Sequence, residues 1–79
     1  MEFVTIRWND EIAVTVQRAL IDEAIEFVSD SPTDVREELR NQCVEELNES
    51  MPIIHAGNAS SQRMEDAVSA LVLWYVLTQ

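Results

Sequence analysis

The sequence Val4-Thr5-Ile6-Arg7-Trp8, followed after three residues by Ile12-Ala13-Val14-Thr15-Val16, decides between the two folds open to this chain. Apolar residues recur at every second position in both runs, which is typical of half-buried β-strands. If residues 9–11 form a turn, one face of the hairpin is apolar and consists of three facing pairs: Trp8 with Ile12, Ile6 with Val14, and Val4 with Val16. The pattern therefore predicts an N-terminal antiparallel hairpin.

The same region also admits a helix, because Asn9 can cap one and two acidic residues suit its first turn. Such a helix would run to Ser29 and would place Gln17 and Glu23 in its apolar arc. A helix that begins near Arg18 leaves instead a compact apolar stripe of Leu20, Ile21, Ala24, Ile25, Phe27 and Val28. We therefore expect the hairpin, although its turn lacks the usual glycine.

A second helix has a clear start signal. Ser31 is expected to cap it, Pro32 to occupy its first position and Asp34 to complete a capping box. The helix should run to about Ser50, since Pro52 is the next strong breaker. Its apolar strip is narrow and consists of Val35, Leu39, Cys43, Val44, Leu47 and Met51.

A third helix is expected over residues 62–78, capped by Ser60 or Ser61. Its first half is amphipathic, whereas the part after Ala70 is apolar on every side. Such a helix end must be covered by its own domain or by a partner. A homodimer is the economical solution, with an interface predicted at Leu73, Trp74, Tyr75 and Leu77.

Together these elements predict an α+β fold in which an N-terminal β-hairpin is followed by three helices and the C-terminal helix is central. The alternative is an all-α three-helix bundle. Because 79 residues leave room for one core, we expect a single small acidic domain over residues 1–79.

The charge balance is strongly acidic. Fifteen aspartates and glutamates face five arginines, lysine is absent, and the formal net charge is -10. Such a chain repels phosphate backbones and anionic lipids unless its arginines cluster, and here they are dispersed. At 47% apolar residues it is too hydrophobic for a disordered acidic tail. We expect a folded protein that binds neither nucleic acid nor membranes directly.

The acidic excess is densest on the second predicted helix, at Asp34, Glu37, Glu38, Glu45, Glu46 and Glu49. Like charges recur there at i,i+4, and the last three residues crowd the predicted helix C-terminus, where the helix dipole favours cations. Local preferences broken without compensation indicate a functional surface. The functional interpretation is an anionic face that docks on a basic groove. The alternative is a solvated face that keeps the protein soluble.

The chemistry-bearing residues are few. With Cys43 and His55 as the only residues of their types, the chain offers neither an internal disulfide nor a zinc ligand set. Calcium-loop spacing and a catalytic constellation are also absent, so we expect no cofactor, no metal and no enzymatic activity. Cys43 is interpreted as a core residue. A free thiol and the lack of a signal-peptide pattern favour a cytoplasmic protein.

The leading functional hypothesis is a non-enzymatic module whose acidic helix engages a basic protein surface. By analogy of class, it would be an inhibitor that imitates DNA phosphates on a nucleic-acid-handling enzyme, a type often encoded by mobile elements. The second hypothesis is a small homo-oligomeric structural or adaptor subunit that works through the apolar C-terminal helix.

Overall fold

The computed structural model describes residues 2–78 and has the predicted α+β architecture. A two-stranded antiparallel hairpin precedes three helices. The elements, in chain order, are β1 (Phe3–Arg7), β2 (Ala13–Gln17), α1 (Arg18–Ser29), α2 (Thr33–His55) and α3 (Ser61–Leu77).

The hairpin has the register that the period-two pattern predicts. Val4 pairs with Val16 and Ile6 with Val14. At the end of the ladder, the Trp8 amide donates a hydrogen bond of 3.0 Å to the carbonyl of Ile12. Ile6 and Val16 are buried, so the apolar face of the hairpin lies on the core.

A side-chain acceptor takes the place of glycine in the hairpin turn. The Oδ1 atom of Asn9 accepts hydrogen bonds from the amides of Glu11 (2.8 Å) and Ile12 (2.9 Å). This arrangement is an Asx turn, in which the side chain imitates a backbone turn. The Arg7 guanidinium also donates to the Asp10 carbonyl at 3.3 Å. Local hydrogen bonds therefore close the loop without a residue at positive φ.

Helix α1 begins at Arg18, as expected, but buries less of its apolar stripe than expected. Ile21 and Val28 are buried and Ala24 is half-buried. The stripe's three remaining members are exposed: Leu20, Ile25 and Phe27. The reason is geometric, because α1 packs mainly on one helix, α3, and a single neighbour covers only the centre of the stripe.

Helix α2 differs from the expectation at both ends. It begins at Thr33 rather than Pro32, because Pro32 is extended (ψ 160°) and stands at the N-cap position, with no side-chain cap from Ser31. At the other end it passes through Pro52 and ends at His55. Pro52 lacks the amide that would bond to the carbonyl of Asn48, and packing of the residues around it offsets this loss. Continuing the helix keeps Met51 buried in the core and brings Ile54 against it.

The core surrounds α3, which packs against α2, α1 and β1, so the prediction of a central C-terminal helix is confirmed. Ser60 caps α3, since its Oγ accepts from the Arg63 amide at 3.2 Å. The buried cluster combines residues of every element: Ile6, Val16, Ile21, Leu47, Met51, Ala67, Leu71 and Val72. On the hairpin side, the Trp8 ring meets the Trp74 ring edge to face, with centroids 5.0 Å apart.

Candidate protein interaction surfaces

Five of the six predicted acidic residues share the outward side of α2. At 100° per residue they fall within an arc of about 120°, and they extend over about 22 Å along the helix. The buried residues of the helix, among them Cys43 and Leu47, lie on the opposite side. We call this surface the acidic face of α2, and it consists of Asp34, Glu37, Glu38, Glu45 and Glu49, all exposed.

The arginines of α2 leave the acidic face uncompensated. Arg36 and Arg40 lie on the other side of the helix, and the Arg36 guanidinium donates to the Ser29 carbonyl at 3.2 Å. Within residues 2–78, the one salt bridge joins Arg18 and Glu2 at 3.5 Å, far along the chain from α2. The five carboxylates therefore present their charge to solvent or to a partner.

The predicted conflict between the acidic residues and the helix dipole was wrong. The sequence placed Glu45, Glu46 and Glu49 at the helix C-terminus, but α2 continues to His55. The effect of the helix dipole is confined to the last turn, which these glutamates do not reach. The like-charge i,i+4 pairs, Asp34 with Glu38 and Glu45 with Glu49, are inside the helix and remain unfavourable.

Glu46, the sixth predicted acidic residue, lies apart from the acidic face and is half-buried. Its Oε1 atom accepts a hydrogen bond of 2.8 Å from Ser50 Oγ. The same Ser50 oxygen accepts one of 3.1 Å from Arg63 Nη1 on α3. Ser50 is fully buried, so this chain of polar groups joins α2 to α3 inside the protein.

Sequence reasoning missed Ser50 and Arg63. The available signal was the position of Ser50 on the apolar strip of α2, three residues after Leu47 and seven after Cys43. A buried hydroxyl requires a hydrogen-bond partner. Its partner Arg63, however, belongs to another helix.

The four residues predicted for an oligomer interface are all half-buried: Leu73, Trp74, Tyr75 and Leu77. Two of them are used within the fold, since Trp74 contacts Trp8 and Tyr75 packs against the core. Leu73 instead lines an open groove between helices. The residues predicted to form one interface therefore lie in two different places: Trp74 and Tyr75 pack within the fold, and Leu73 lines the groove.

A groove of about 320 Å³ runs between α1 and α3, and we call it the α1–α3 groove. Its α1 wall consists of Leu20, Glu23, Ala24 and Phe27. Its α3 wall consists of Val68, Ser69, Val72 and Leu73. A neighbouring depression shares Leu20, Val68 and Ser69 and extends the groove to Met64 and Glu65.

The groove contains exposed side chains that were expected in the core. Phe27 is 67% exposed and Leu20 is 41% exposed. Met64, on the neighbouring part of α3, is also exposed. These apolar side chains lie on one flank of α1 and along the adjacent side of α3, so together they form a contiguous apolar surface.

The remaining chemistry-bearing residues form no site. Cys43 is buried on the inner side of α2, and burial raises the pKa of its thiol above the ordinary value of 9.0. Over residues 2–78, no three histidine, cysteine, aspartate or glutamate side chains are grouped so that they could hold a metal ion. In the same range, no helix has both the length and the apolar character needed to cross a membrane.

Comparisons of the chain with protein-family models, with curated proteins and with solved structures found no significant match. The function of this protein is therefore inferred from its surfaces.

Proposed function

We propose that this protein is a non-enzymatic, cytoplasmic binding module whose acidic face of α2 docks on a basic groove of a nucleic-acid-handling protein. The observation that supports the proposal is the separation of charge on α2. Five carboxylates occupy one side over about 22 Å, while both arginines lie on the other. A face that only keeps the protein soluble does not require carboxylates and arginines on separate sides. A surface that competes with phosphates for a partner's arginines and lysines does require this separation.

The physical mechanism is electrostatic complementarity. A helix already fixes the backbone beneath the carboxylates, so little backbone entropy is lost on docking and the cost of ordering falls on the side chains. The like-charge pairs, which weaken α2 in the free protein, are relieved when cations of the partner approach them. As an inhibitor, the module would occupy the groove that otherwise receives the nucleic acid backbone.

The test is an affinity capture from the native host at low salt, followed by a salt gradient. One variant replaces the acidic face of α2 by amides at all five positions: Asp34→Asn, Glu37→Gln, Glu38→Gln, Glu45→Gln and Glu49→Gln. A matched control removes five exposed carboxylates elsewhere: Asp10→Asn, Glu11→Gln, Asp22→Asn, Glu26→Gln and Asp30→Asn. Both variants thus lose the same share of the net charge of -10.

We expect wild type and the control to retain a common partner to similar salt concentrations. The variant with five amides should not retain this partner. Added double-stranded DNA should compete with the wild-type protein for the same partner. Equal retention of the partner by both variants would refute the role of the acidic face.

A homo-oligomeric subunit that works through the apolar end of α3 is the second candidate function. It is supported by the partial exposure of Leu73, Trp74, Tyr75 and Leu77. Light scattering at micromolar concentration tests it, because a monomeric protein contradicts self-assembly. Leu73→Ser is a better probe than a substitution of Trp74, since the Trp74 ring also supports the hairpin.

A further inference from the structure

We propose that the α1–α3 groove binds a short amphipathic helix with a basic flank, presented by a partner protein. The proposal concerns a surface other than the acidic face of α2, and either can fail without the other. It is based on the shape of the groove, on its apolar lining and on the charges at its rim.

The shape suits a helix. On α1, Leu20, Ala24 and Phe27 are spaced i, i+4 and i+7, and on α3 Val68 and Val72 are spaced i and i+4. Each set forms a row along one side of its helix. Two such rows form the walls of a hydrophobic groove that receives the apolar face of a third helix. The α1 row is about 10 Å long, which accommodates two turns of an incoming helix.

The charges at the rim determine the occupant. Glu23 lines the groove, Glu65 lines its extension, and Glu46 borders the depression on the α2 side of Leu73. The linings of all three contain no arginine. Apolar anchors with lysines or arginines at their flanks would fill the groove and face these carboxylates.

A second copy of the chain fits this site poorly. Each copy has a formal net charge of -10, so a symmetric pairing of grooves would place Glu23 and Glu65 of one copy near acidic residues of the other. Like charges brought together at an interface oppose association. A small polar ligand also fits poorly, since Ser69 is the one neutral polar side chain among residues 2–78 that lines the α1–α3 groove.

The experiment uses a fluorescein-labelled 14-residue peptide of leucine and lysine, with leucines spaced to form one helical face. Binding to the full-length protein is followed by fluorescence anisotropy at 0.15 M salt. A scrambled peptide of the same composition controls for charge alone, and a peptide with glutamate for lysine controls for apolar contact alone. We expect the patterned lysine peptide to bind at least about tenfold more tightly than either control.

Two comparisons between variants locate the site. Leu20→Ala with Phe27→Ala should weaken binding about tenfold, whereas Ile25→Ala, an exposed apolar residue outside the groove, should leave it unchanged. Glu23→Gln with Glu65→Gln should weaken binding and reduce its salt dependence. Glu11→Gln with Glu26→Gln removes the same charge elsewhere and should have a smaller effect. Circular dichroism and urea midpoints confirm that each variant is folded.

The outcomes separate this proposal from the proposed function. The variant with five amides on the acidic face of α2 should still bind the patterned peptide within about threefold of wild type, because the groove is unchanged. Equal loss of binding for Ile25→Ala and for the groove variant would overturn the proposal, as would binding of the scrambled peptide as tight as that of the patterned one. A wild-type dimer that is dispersed by Leu20→Ala with Phe27→Ala would also overturn it, because the second copy would then be the occupant.

Discussion

The ring of Trp8, the residue that follows β1, meets the ring of Trp74 on α3 edge to face, with centroids 5.0 Å apart and planes inclined by 75°. This geometry places the positive edge of one indole against the negative face of the other. The pair joins the hairpin to the end of α3 that is apolar all round. The hairpin therefore covers part of the apolar end of α3, for which the sequence pattern predicted a second copy of the chain.

We predict that the tryptophan pair couples the hairpin to the helices. Trp8→Leu and Trp74→Leu should each lower the free energy of unfolding by about 1 to 3 kcal/mol, since both rings pack against the core. The double variant should lose less than the sum, with a coupling energy of about 1 kcal/mol. Urea unfolding of the four proteins measures it. Phe3→Leu, at an exposed position of β1, serves as the control, and additive losses would contradict the coupling.

The hairpin turn depends on the side-chain oxygen of Asn9. Asn9→Ala removes the acceptor of two backbone amides and should cost about 1 to 2 kcal/mol of stability. Asn9→Asp keeps an acceptor oxygen and should cost much less at pH 7. Thermal unfolding of the three proteins checks the order, and an alanine variant as stable as wild type would show that the turn does not need this oxygen.

The buried hydroxyl of Ser50 should be important for stability although it belongs to no binding surface. Ser50→Ala leaves Arg63 Nη1 and Glu46 Oε1 without their shared partner and should cost about 1 to 3 kcal/mol. Ser69→Ala, an exposed serine within α3, should be neutral or slightly stabilising because alanine favours helix by up to about 0.5 kcal/mol. Urea unfolding compares the two variants, and equal midpoints would mean that the buried chain of polar groups contributes nothing.

Because of Cys43, the free energy of unfolding should depend on pH in the alkaline range. Because burial raises the pKa of its thiol, the folded protein keeps a proton that the unfolded chain releases near pH 9. The stabilising contribution is complete below that pH and is lost as the pH rises through the folded pKa. Between pH 8 and pH 10, the unfolding free energy of wild type should therefore fall more than that of Cys43→Ala. Parallel curves for the two proteins would contradict the shift.

Replacing one carboxylate of the acidic face of α2 should stabilise the protein. Glu49→Lys exchanges an unfavourable i,i+4 pair with Glu45 for a favourable one and should raise stability by about 0.5 to 1 kcal/mol at low salt. The gain should shrink at high salt, where charges are screened. Glu11→Lys is the control, because Glu11 is exposed in the hairpin turn and has no helical charge neighbour, so the same charge is reversed there. Thermal unfolding at two salt concentrations measures both variants, and a gain equal for both would point to net charge instead.

Local patterns predicted much of this fold. The period-two alternation around Ile6 and Val14 determines both the strands and their register, because a slip of one residue would turn the apolar face to solvent. The end of α2 was predicted wrongly because Pro52 was treated as a breaker, whereas burial of Met51 and the contact of Ile54 with the core favour one more turn. A breaker residue acts locally, and tertiary packing can override it.

The candidate surfaces were predicted only in part. The sequence predicted one anionic face of six carboxylates on α2, and the helix of the structure brings five of them to one side. The α1–α3 groove could not be anticipated, since the exposure of Leu20 and Phe27 depends on how many elements pack around α1. Glu46 bonds to Ser50, which also accepts from Arg63 on α3, and this link joins residues that are distant in sequence and close in space.

Strand β2 passes into α1 without an intervening residue, and the Arg18 amide at this junction donates to the Glu2 carbonyl at 3.0 Å. Hinges form at loop or element-terminal residues that are free to change φ and ψ, and here the hydrogen bond to Glu2 ties the first residue of α1 to the hairpin. We therefore expect the hairpin and α1 to move together relative to α3, with Trp8 on the hairpin and Phe27 on α1. A partner that tilts α1 on entering the α1–α3 groove would then move Trp8 relative to Trp74. Intrinsic tryptophan fluorescence should therefore report occupancy of the groove without an added label.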